Sequence, residues 1–463
     1  MKSKVFVCFL MCSTFIKAEI CEFSNPILQA GVRYIFRLPE DETEKQRRFF
    51  TQVIAYFCTA DNGFDNNGKT VNLSDLVFGK PLVVRDIYLA AKLSEQGKVT
   101  VPGLTTTNQQ YLALLAKTRI PVEAEEREFA FKFTTLYYNR VPGTEKLIYV
   151  VGGVVPLVHQ FHVLSGAFVG GSLLDQSTIV GPDFPAVSSL SQFFNDFQGM
   201  EDFVLRGIIA PKGLRFHQLQ REVGIGDINA MGMLDFHEYI DGASGVQVGL
   251  NVVLPTGKRP KQQDIWNPDL TEGARWQFDP FVNLIFDWGY RYINPLFFFS
   301  FGGATRYSAH QRVPRLKNQR SQVFFPPSFA SATVSSFSEY DSSVALLADQ
   351  AVEVSIRPGN YVIMRLANFF EDVFMKNFRI GANYIFTSRL EDKVRVSNES
   401  QRGLFNTALL EQNTRQIQHI LLWNIAYASD CDDFEAYVGS QYVIAGRNVP
   451  QKGQVFFSLR WQF

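Results

Sequence analysis

Long apolar runs are what this chain most lacks. Past an opening stretch from Val5 to Ile16, the nearest thing to one is Leu147 to Val158, which Gly152, Gly153 and Pro156 interrupt. A helix needs about 20 apolar residues to cross a bilayer, so a helical membrane protein is excluded. Charge is also scarce. Asp, Glu, Lys and Arg make up 19% of the 463 residues and balance to a formal net charge of zero. Such a balance provides no footprint for nucleic acid and none for an anionic surface. Of five cysteines, Cys8 and Cys12 fall in the opening apolar run, leaving Cys21, Cys58 and Cys431. An odd number remains, with no Cys/His spacing suited to a metal, and no cofactor is expected. A disulfide between Cys21 and Cys58 and two free thiols stand as alternatives.

Catalytic patterns are missing as well, and no enzymatic activity is expected. There is no Gly-x-Ser-x-Gly elbow, and Gly242-Ala243-Ser244-Gly245 reads as a turn. His237-Glu238 has no second histidine at zinc spacing, and His159 and His162 have no thiol or carboxylate cluster beside them in sequence. Gly224-Ile225-Gly226 lacks a third glycine to open a helix at a phosphate. His419 and Asn424 are fragments of a lipid-hydrolase arrangement for which no serine can be named. Asp61 to Gly68 alternates Asp and Asn like a calcium loop, but its glycine register is wrong and no Glu closes it, so a turn-rich loop is expected.

Aromatic residues, by contrast, are abundant at 14%, with 43 Phe. Many of them alternate with polar residues. In the last ten residues Val455, Phe457, Leu459, Trp461 and Phe463 share one face of a strand, while Gln454, Ser458, Arg460 and Gln462 share the other; Phe456 is the exception. From Ala274 to Trp288 the apolar face carries Trp276, Phe278, Pro280, Val282, Leu284, Phe286 and Trp288, opposite Arg275, Gln277, Asp279, Asn283 and Asp287. The strand from Trp276 to Trp288 spans about 40 Å, which a tilt near 40° projects to roughly 30 Å, the separation of two aromatic girdles around a lipid band. Pro280 is a cost, since proline is unfavourable inside a sheet.

These patterns predict an all-β fold, an antiparallel transmembrane β-barrel of about twelve strands, within roughly ten to sixteen. The strands counted run from Glu128–Asn139, Lys146–Leu164 and Phe203–Ile209 to the terminal strand, and both ends lie on the periplasmic side. Short and long connections alternate as such barrels require, except at Ser165 to Asp202, which is too long for a periplasmic turn and for which a luminal fold is one way out. Residues 1–18, with Lys2 and Lys4 before the apolar run and Ala18 at its end, read as an export signal. Residues 19–123 read as a mixed, partly helical periplasmic or luminal segment, with helices at Glu40–Thr59, Asp86–Gln96 and Tyr111–Lys117; Leu28 to Phe36 alternates enough for a strand. Residues 124–463 form the barrel.

Lys132, Asp279, Asn283, Arg379 and Arg460 are placed on the lumen-facing side, joined by Glu353, Arg357 and Arg365 if the strand before Ala367 keeps its register. The aromatic girdle is expected at Trp276, Trp288, Trp461 and Phe463. Charges of both signs inside a barrel either select solutes or merely pair and fill the interior.

The terminal aromatic strand resembles the assembly signal of bacterial outer-membrane barrels. Gly224-Ile225-Gly226-Asp227, the run Val246 to Leu254 and then Pro255-Thr256-Gly257-Lys258 resemble the meta-pathway phenol-degradation transporters, distant relatives of the long-chain fatty-acid barrels. The likeness covers Glu222 to Arg306 and the terminal strand. It implies an outer-membrane channel for facilitated diffusion of small, often hydrophobic or aromatic solutes. The Asn-Pro-Ala motif of the fatty-acid barrels is absent, Asn25-Pro26-Ile27 being nearest, so no hatch mechanism carries over. Expected partners are outer-membrane lipid, the barrel-assembly machinery acting on the C-terminal strand, and a small solute, with no nucleic acid; the sequence does not fix an oligomeric state. The competing expectation is a plugged barrel acting as anchor or adhesin through long extracellular loops, 309–350 above all.

Overall fold

The computed structural model describes residues 18–19, 49–77, 122–144, 147–166, 219–240, 243–257, 275–286, 294–313, 350–405, 407–411, 414–429 and 433–463. Twelve antiparallel strands among them close into a barrel. In chain order they are β1 (Phe49–Ala60), β2 (Val122–Arg140), β3 (Leu147–Gly166), β4 (Ile228–Ile240), β5 (Ala243–Leu254), β6 (Gln277–Ile285), β7 (Asn294–Ala304), β8 (Tyr361–Glu371), β9 (Phe378–Arg389), β10 (Gln416–Ala428), β11 (Phe434–Arg447) and β12 (Lys452–Gln462). Each strand pairs with its neighbours in sequence, and β1 closes the ring by pairing with β12 from Phe50↔Gln462 to Thr59↔Gly453. Closure gives each of the twelve strands a neighbour on both sides, β1 meeting β2 at Phe49↔Tyr137 and Ala60↔Glu126, and a closed ring is the form in which a sheet sits in lipid.

The closing strand corrects the expected helix at Glu40–Thr59. Phe49, Val53 and Phe57 do share a face, as a spacing of four allows in either structure, but Phe50 and Ile54 sit on the opposite one. Period two wins because Gln52, Ile54, Tyr56 and Cys58 are all needed on the inner face, and because this run of Phe, Thr, Val, Ile and Tyr favours a pleated surface. The wall therefore begins at Phe49, inside the stretch expected to be a separate module. Phe203–Ile209 lies outside the described residues, and the twelfth place in the wall belongs to β1. The expected helices at Asp86–Gln96 and Tyr111–Lys117, the Leu28–Phe36 strand, Trp288, Cys21 and Cys431 also lie outside them. Of the expected export signal only Ala18 is described, in a two-residue bridge with Glu19 against Thr59, Gly453 and Lys452.

At the end where β1 starts and β12 finishes, the strand ends joined through 141–146, 241–242, 286–293, 372–377 and 429–433 meet. At the other end, the strand ends are separated in sequence by 61–121, 167–218, 255–276, 305–360 and 390–415, with only 448–451 short. With β1 in the wall, the connection after Gly166 leaves from the long-connection end, and no short-end connection is overlong.

Outward positions carry the apolar band: Phe133, Val248, Phe278, Phe299, Leu366, Leu421, Trp423 and Phe457 are all exposed. Every strand carries at least one exposed large apolar side chain, as a surface that meets lipid requires. Pro280 is tolerated because it falls where the β6–β7 pairing is interrupted, between Phe278↔Gly303 and Phe281↔Ser300. The Ser300 hydroxyl donates to its carbonyl at 3.1 Å. Phe456, the exception in the terminal strand, points inward because Gly439 opposes it across the β11–β12 pairing; a Cβ on that glycine would lie 2.4 Å from the Phe456 ring.

Past the long-connection end, β7, β8 and β9 extend into a second sheet of Tyr307–Val313, Gln350–Arg357 and Lys393–Val396. It packs Val354, Ile356, Val394, Val396 and Phe405 into a core of its own.

Candidate functional site: the inner wall

The inner face is mixed, not simply polar. Phe50, Leu136, Tyr138, Phe281, Ile285 and Phe298 are buried there beside charged and amide side chains, and the Phe281 and Phe298 rings stack with centroids 5.6 Å apart. Burying a polar group costs free energy unless it is hydrogen-bonded, and the inner polar residues answer that demand by pairing across strands.

Three such groupings stand out. Across β4, β5 and β6, the Asn283 amide donates to the Gln247 oxygen at 2.8 Å, and the Gln247 amide donates to Asp235 at 2.9 Å. These three residues are directly opposite one another in register. A step towards the long-connection end, Asn251 donates to Asp279 at 3.0 Å, and the Tyr361 hydroxyl from β8 bonds to Asp279 as well.

The second grouping lies near the short-connection end. Glu435 on β11, only 2% exposed, takes Arg379 from β9 at 3.1 Å and pairs with Arg460 from β12. The Tyr437 hydroxyl donates to the same carboxylate. Arg460 lies 5.5 Å from the Phe50 ring centroid and 5.6 Å from that of Tyr437, a cation–π arrangement that keeps a guanidinium comfortable beside apolar neighbours.

Third, at the closing seam, Lys452 from β12 reaches across β1 to Glu126 on β2. Gln160 donates to that same Glu126 at 2.9 Å, and His162 lies 3.8 Å from it. Next to this, Tyr56 donates to Glu128 and Lys132 sits 5.1 Å from the Tyr56 ring centroid.

The inner charges are sorted by arc. Glu126, Glu128, Asp235 and Asp279 lie on β2 to β6, whereas Arg365, Arg379, Lys452 and Arg460 lie on β8 to β12; Lys132, Glu371 and Glu435 are the exceptions. Arg365, 1% exposed, is held by the Asn383 oxygen at 2.8 and 2.6 Å.

Of the eight residues expected in the lumen, Lys132, Asp279, Asn283, Arg365, Arg379 and Arg460 lie on the inner face. Glu353 and Arg357 do not. They are exposed on the second sheet, because the chain bends at Pro358-Gly359-Asn360 and the alternation changes phase there. A slip of one residue moves a whole set of side chains to the other face. The bend is built in: Gly359 passes so close to Leu390 that a Cβ would lie 1.9 Å from its carbonyl oxygen, and the Gly359 N–H donates to Asp392 at 2.9 Å. Trp276 and Phe463 are exposed at opposite ends of the wall. Trp461 faces outward against Phe434, ring centroids 5.9 Å apart.

Glu126, Glu128, Asp235, Glu435 and Lys452 also belong to the inner wall. The alternation of their strands held the necessary clue, but Gly439 and the small residues around it weaken the pattern near Glu435. His159 and His162 do not converge, since His159 stacks outward on Phe161 with centroids 4.1 Å apart while His162 points inward. Asn62–Phe64 and Thr70–Asn72 pair as a small hairpin whose turn is Asp65–Lys69: the Lys69 N–H, with that of Asn67, holds the Asp65 carboxyl below its ordinary value. On the second sheet, hydrogen bonds to Glu391 and then Glu411 hold Lys393 above its usual range.

The two sequence patterns Gly226-Asp227 and Thr256-Gly257 meet in space. The Thr256 hydroxyl donates to Gly226 O and accepts from Ile228 N, each at 2.9 Å, and the Gly257 N–H donates to Asp227 at 2.9 Å. Together they clamp the place where β5 ends and β4's continuation, Leu219–Ile225, goes on alongside β3 only.

No family model matches the chain. No curated protein matches it either. Among solved structures it is similar to an outer membrane channel from Pseudomonas putida F1, at 9% identity and a TM-score of 0.48, covering 90% of this chain and 96% of that one. It is also similar to a Pseudomonas aeruginosa FadL homologue, at 10% identity and a TM-score of 0.30, covering 90% of each. A third likeness is to the beta domain of the Bordetella autotransporter BrkA, at 7% identity and a TM-score of 0.36, covering 90% of this chain and 100% of that one. All three fall below a TM-score of 0.5 and carry no functional weight.

Proposed function

We propose that this chain is an outer-membrane channel that passes small solutes, apolar or aromatic ones included, by facilitated diffusion, with the long connections outside and the short turns in the periplasm. The observation that carries the reading is an inner wall with charges of both signs, acids mainly on β2 to β6 and cations mainly on β8 to β12, inside a wall whose outside is apolar. Fixed charges of both signs set a field across a lumen and orient dipolar or charged solutes. Planar bilayers test it: the purified barrel should conduct, and liposomes carrying it should swell in small solutes. Arg379, whose side chain is 30% exposed, should act on ion choice. R379Q should shift the reversal potential towards cation preference. Neither conductance nor swelling from a correctly folded barrel would sink the proposal.

The burial of Phe50, Tyr138, Phe281 and Phe298 on the inner face favours a second reading, a plugged barrel that anchors or adheres through its long-connection end. A deletion of 19–123 cannot separate the two, since it would remove β1 and open the wall. Deleting 20–48 keeps all twelve strands, and conductance that appears only in that variant would favour the plugged barrel.

A further inference from the structure

Two exposed arginines sit on the outside of the wall at its long-connection end. Arg447 ends β11 with its Cα paired to that of Ile417 on β10, and Arg415 precedes β10 by one residue. On β10 the buried positions are Gln418, Ile420, Leu422 and Asn424, while Leu421 and Trp423 are exposed. Alternation therefore sets Ile417, and with it Arg447 and Arg415, on the outer face. Diagonal neighbours on one face of an antiparallel pair lie about 7–8 Å apart.

Asn448 binds the patch together. Its side-chain amide donates to Arg415 O at 2.9 Å and to Asn66 at 3.3 Å, and its N–H donates to Asp65 O at 3.2 Å. The acid on that turn, Asp65, is engaged by backbone N–H groups and offset by Lys69. Neither Arg415 nor Arg447 makes an ion pair among the described residues, which leaves two guanidiniums uncompensated at the rim.

What lies just below them on the same strands fixes their depth. Leu421 and Trp423 are outward and exposed, and between them and the arginines the Tyr384 hydroxyl meets His419 Nδ1 at 2.7 Å, with the Phe386 ring 5.2 Å from His419. An amphipathic aromatic pair of this kind marks the edge of a hydrocarbon layer. At about 3.4 Å per residue, Arg447 stands one residue pair and Arg415 two residue pairs beyond that edge, where lipid phosphates lie.

We propose that Arg415 and Arg447, held by Asn448, dock the phosphate groups of a phosphorylated glycolipid of the outer leaflet against the outside of β10 and β11. The site rests on the outer-membrane reading above. Guanidinium forks suit phosphate because both are planar or tetrahedral groups that match two N–H donors to two oxygens.

The test titrates the folded barrel in detergent with bisphosphorylated lipid A, with the same lipid stripped of phosphate, and with inorganic phosphate alone. Wild type should bind the phosphorylated lipid at least tenfold more tightly than the stripped lipid, and R415Q/R447Q should lose that preference. R415K/R447K, which keeps the charge, should retain part of it and serves if the glutamine variant folds poorly. R221Q, which removes an exposed arginine elsewhere on the rim, should change nothing. Equal preference in R415Q/R447Q, no preference in wild type, or saturation by inorganic phosphate at the concentration of the lipid would each overturn the proposal. Conductance of wild type in glycolipid-free bilayers is read alongside. A conducting barrel without lipid preference refutes the docking site alone, and a barrel that fails to insert refutes the reading beneath it.

Discussion

The inner wall neutralises its buried carboxylates in two ways. Asp235 is met by a neutral amide, Gln247, which is steadied in turn by Asn283. Glu435 is met by two guanidiniums and a phenol. The difference follows from strand order: β4, β5 and β6 place amides side by side in register, whereas Arg379 and Arg460 reach Glu435 from strands on either side of β11 and leave it enclosed. An amide ladder trades one dipole for another and tolerates loss. An ion cluster does not, because removing Glu435 takes from two guanidiniums the one carboxylate they share.

The largest effect should therefore come from Glu435→Ala. Breaking a buried pair costs about 3–5 kcal/mol, and the lower part of that range is expected here because the Arg379 side chain retains 30% exposure and has Glu371 at 3.9 Å. Urea unfolding of the refolded barrel, followed by tryptophan fluorescence, reads it. A loss below about 1 kcal/mol would mean that the cluster contributes no more than an exposed ion pair.

Asp235→Asn should be milder, below about 1.5 kcal/mol, since the new amide oxygen can still accept from Gln247 and only the charge on the hydrogen bond is lost. Should this variant prove as damaging as Glu435→Ala, the contrast between ladder and cluster would collapse.

Outside the wall the same question can be put to Asp65, whose carboxyl is held low by the Lys69 and Asn67 N–H groups. A carboxyl with a depressed value in the folded state stabilises its turn above the ordinary aspartate range, and that contribution disappears as the pH falls through the folded value. Amide exchange at Asn67 and Lys69 should thus be slower in wild type than in D65N at neutral pH, and equal in the two once the pH is well below 3.8, the ordinary value for this group. A difference that persists in acid would assign the order of the turn to packing instead.

Much of the barrel is legible from alternation. The faces of β2, β5, β6, β9, β10 and β12 follow directly from period two, and Asp279, Asn283 and Arg460 fall inward with them. β1 was hidden because Phe49, Val53 and Phe57 recur at a spacing that serves a helix and a strand alike. The mixed interior was hidden for a different reason: Phe281 and Phe456 are inner aromatics on strands whose other aromatics face out, and what admits Phe456 is Gly439 on the next strand, a property of pairing that no single strand displays. Glu435 belongs to the same class. Its partners come from β9 and β12, and its own strand is rich in small residues.

Glu353 and Arg357 provide the smallest expected effect and the sharpest control. By extrapolation from β8 they would join Arg365 in the lumen, yet the phase change at Pro358-Gly359-Asn360 leaves them exposed on the second sheet. If the inner arcs set ion choice, E353Q and R357Q should leave the reversal potential unmoved while R379Q shifts it, although all three alter one charge. Their stability should also stay within about 0.5 kcal/mol of wild type, as expected for surface positions without buried partners. A shift from E353Q or R357Q as large as that from R379Q would show that charge near the mouth, and not the geometry of the inner wall, governs what the barrel admits.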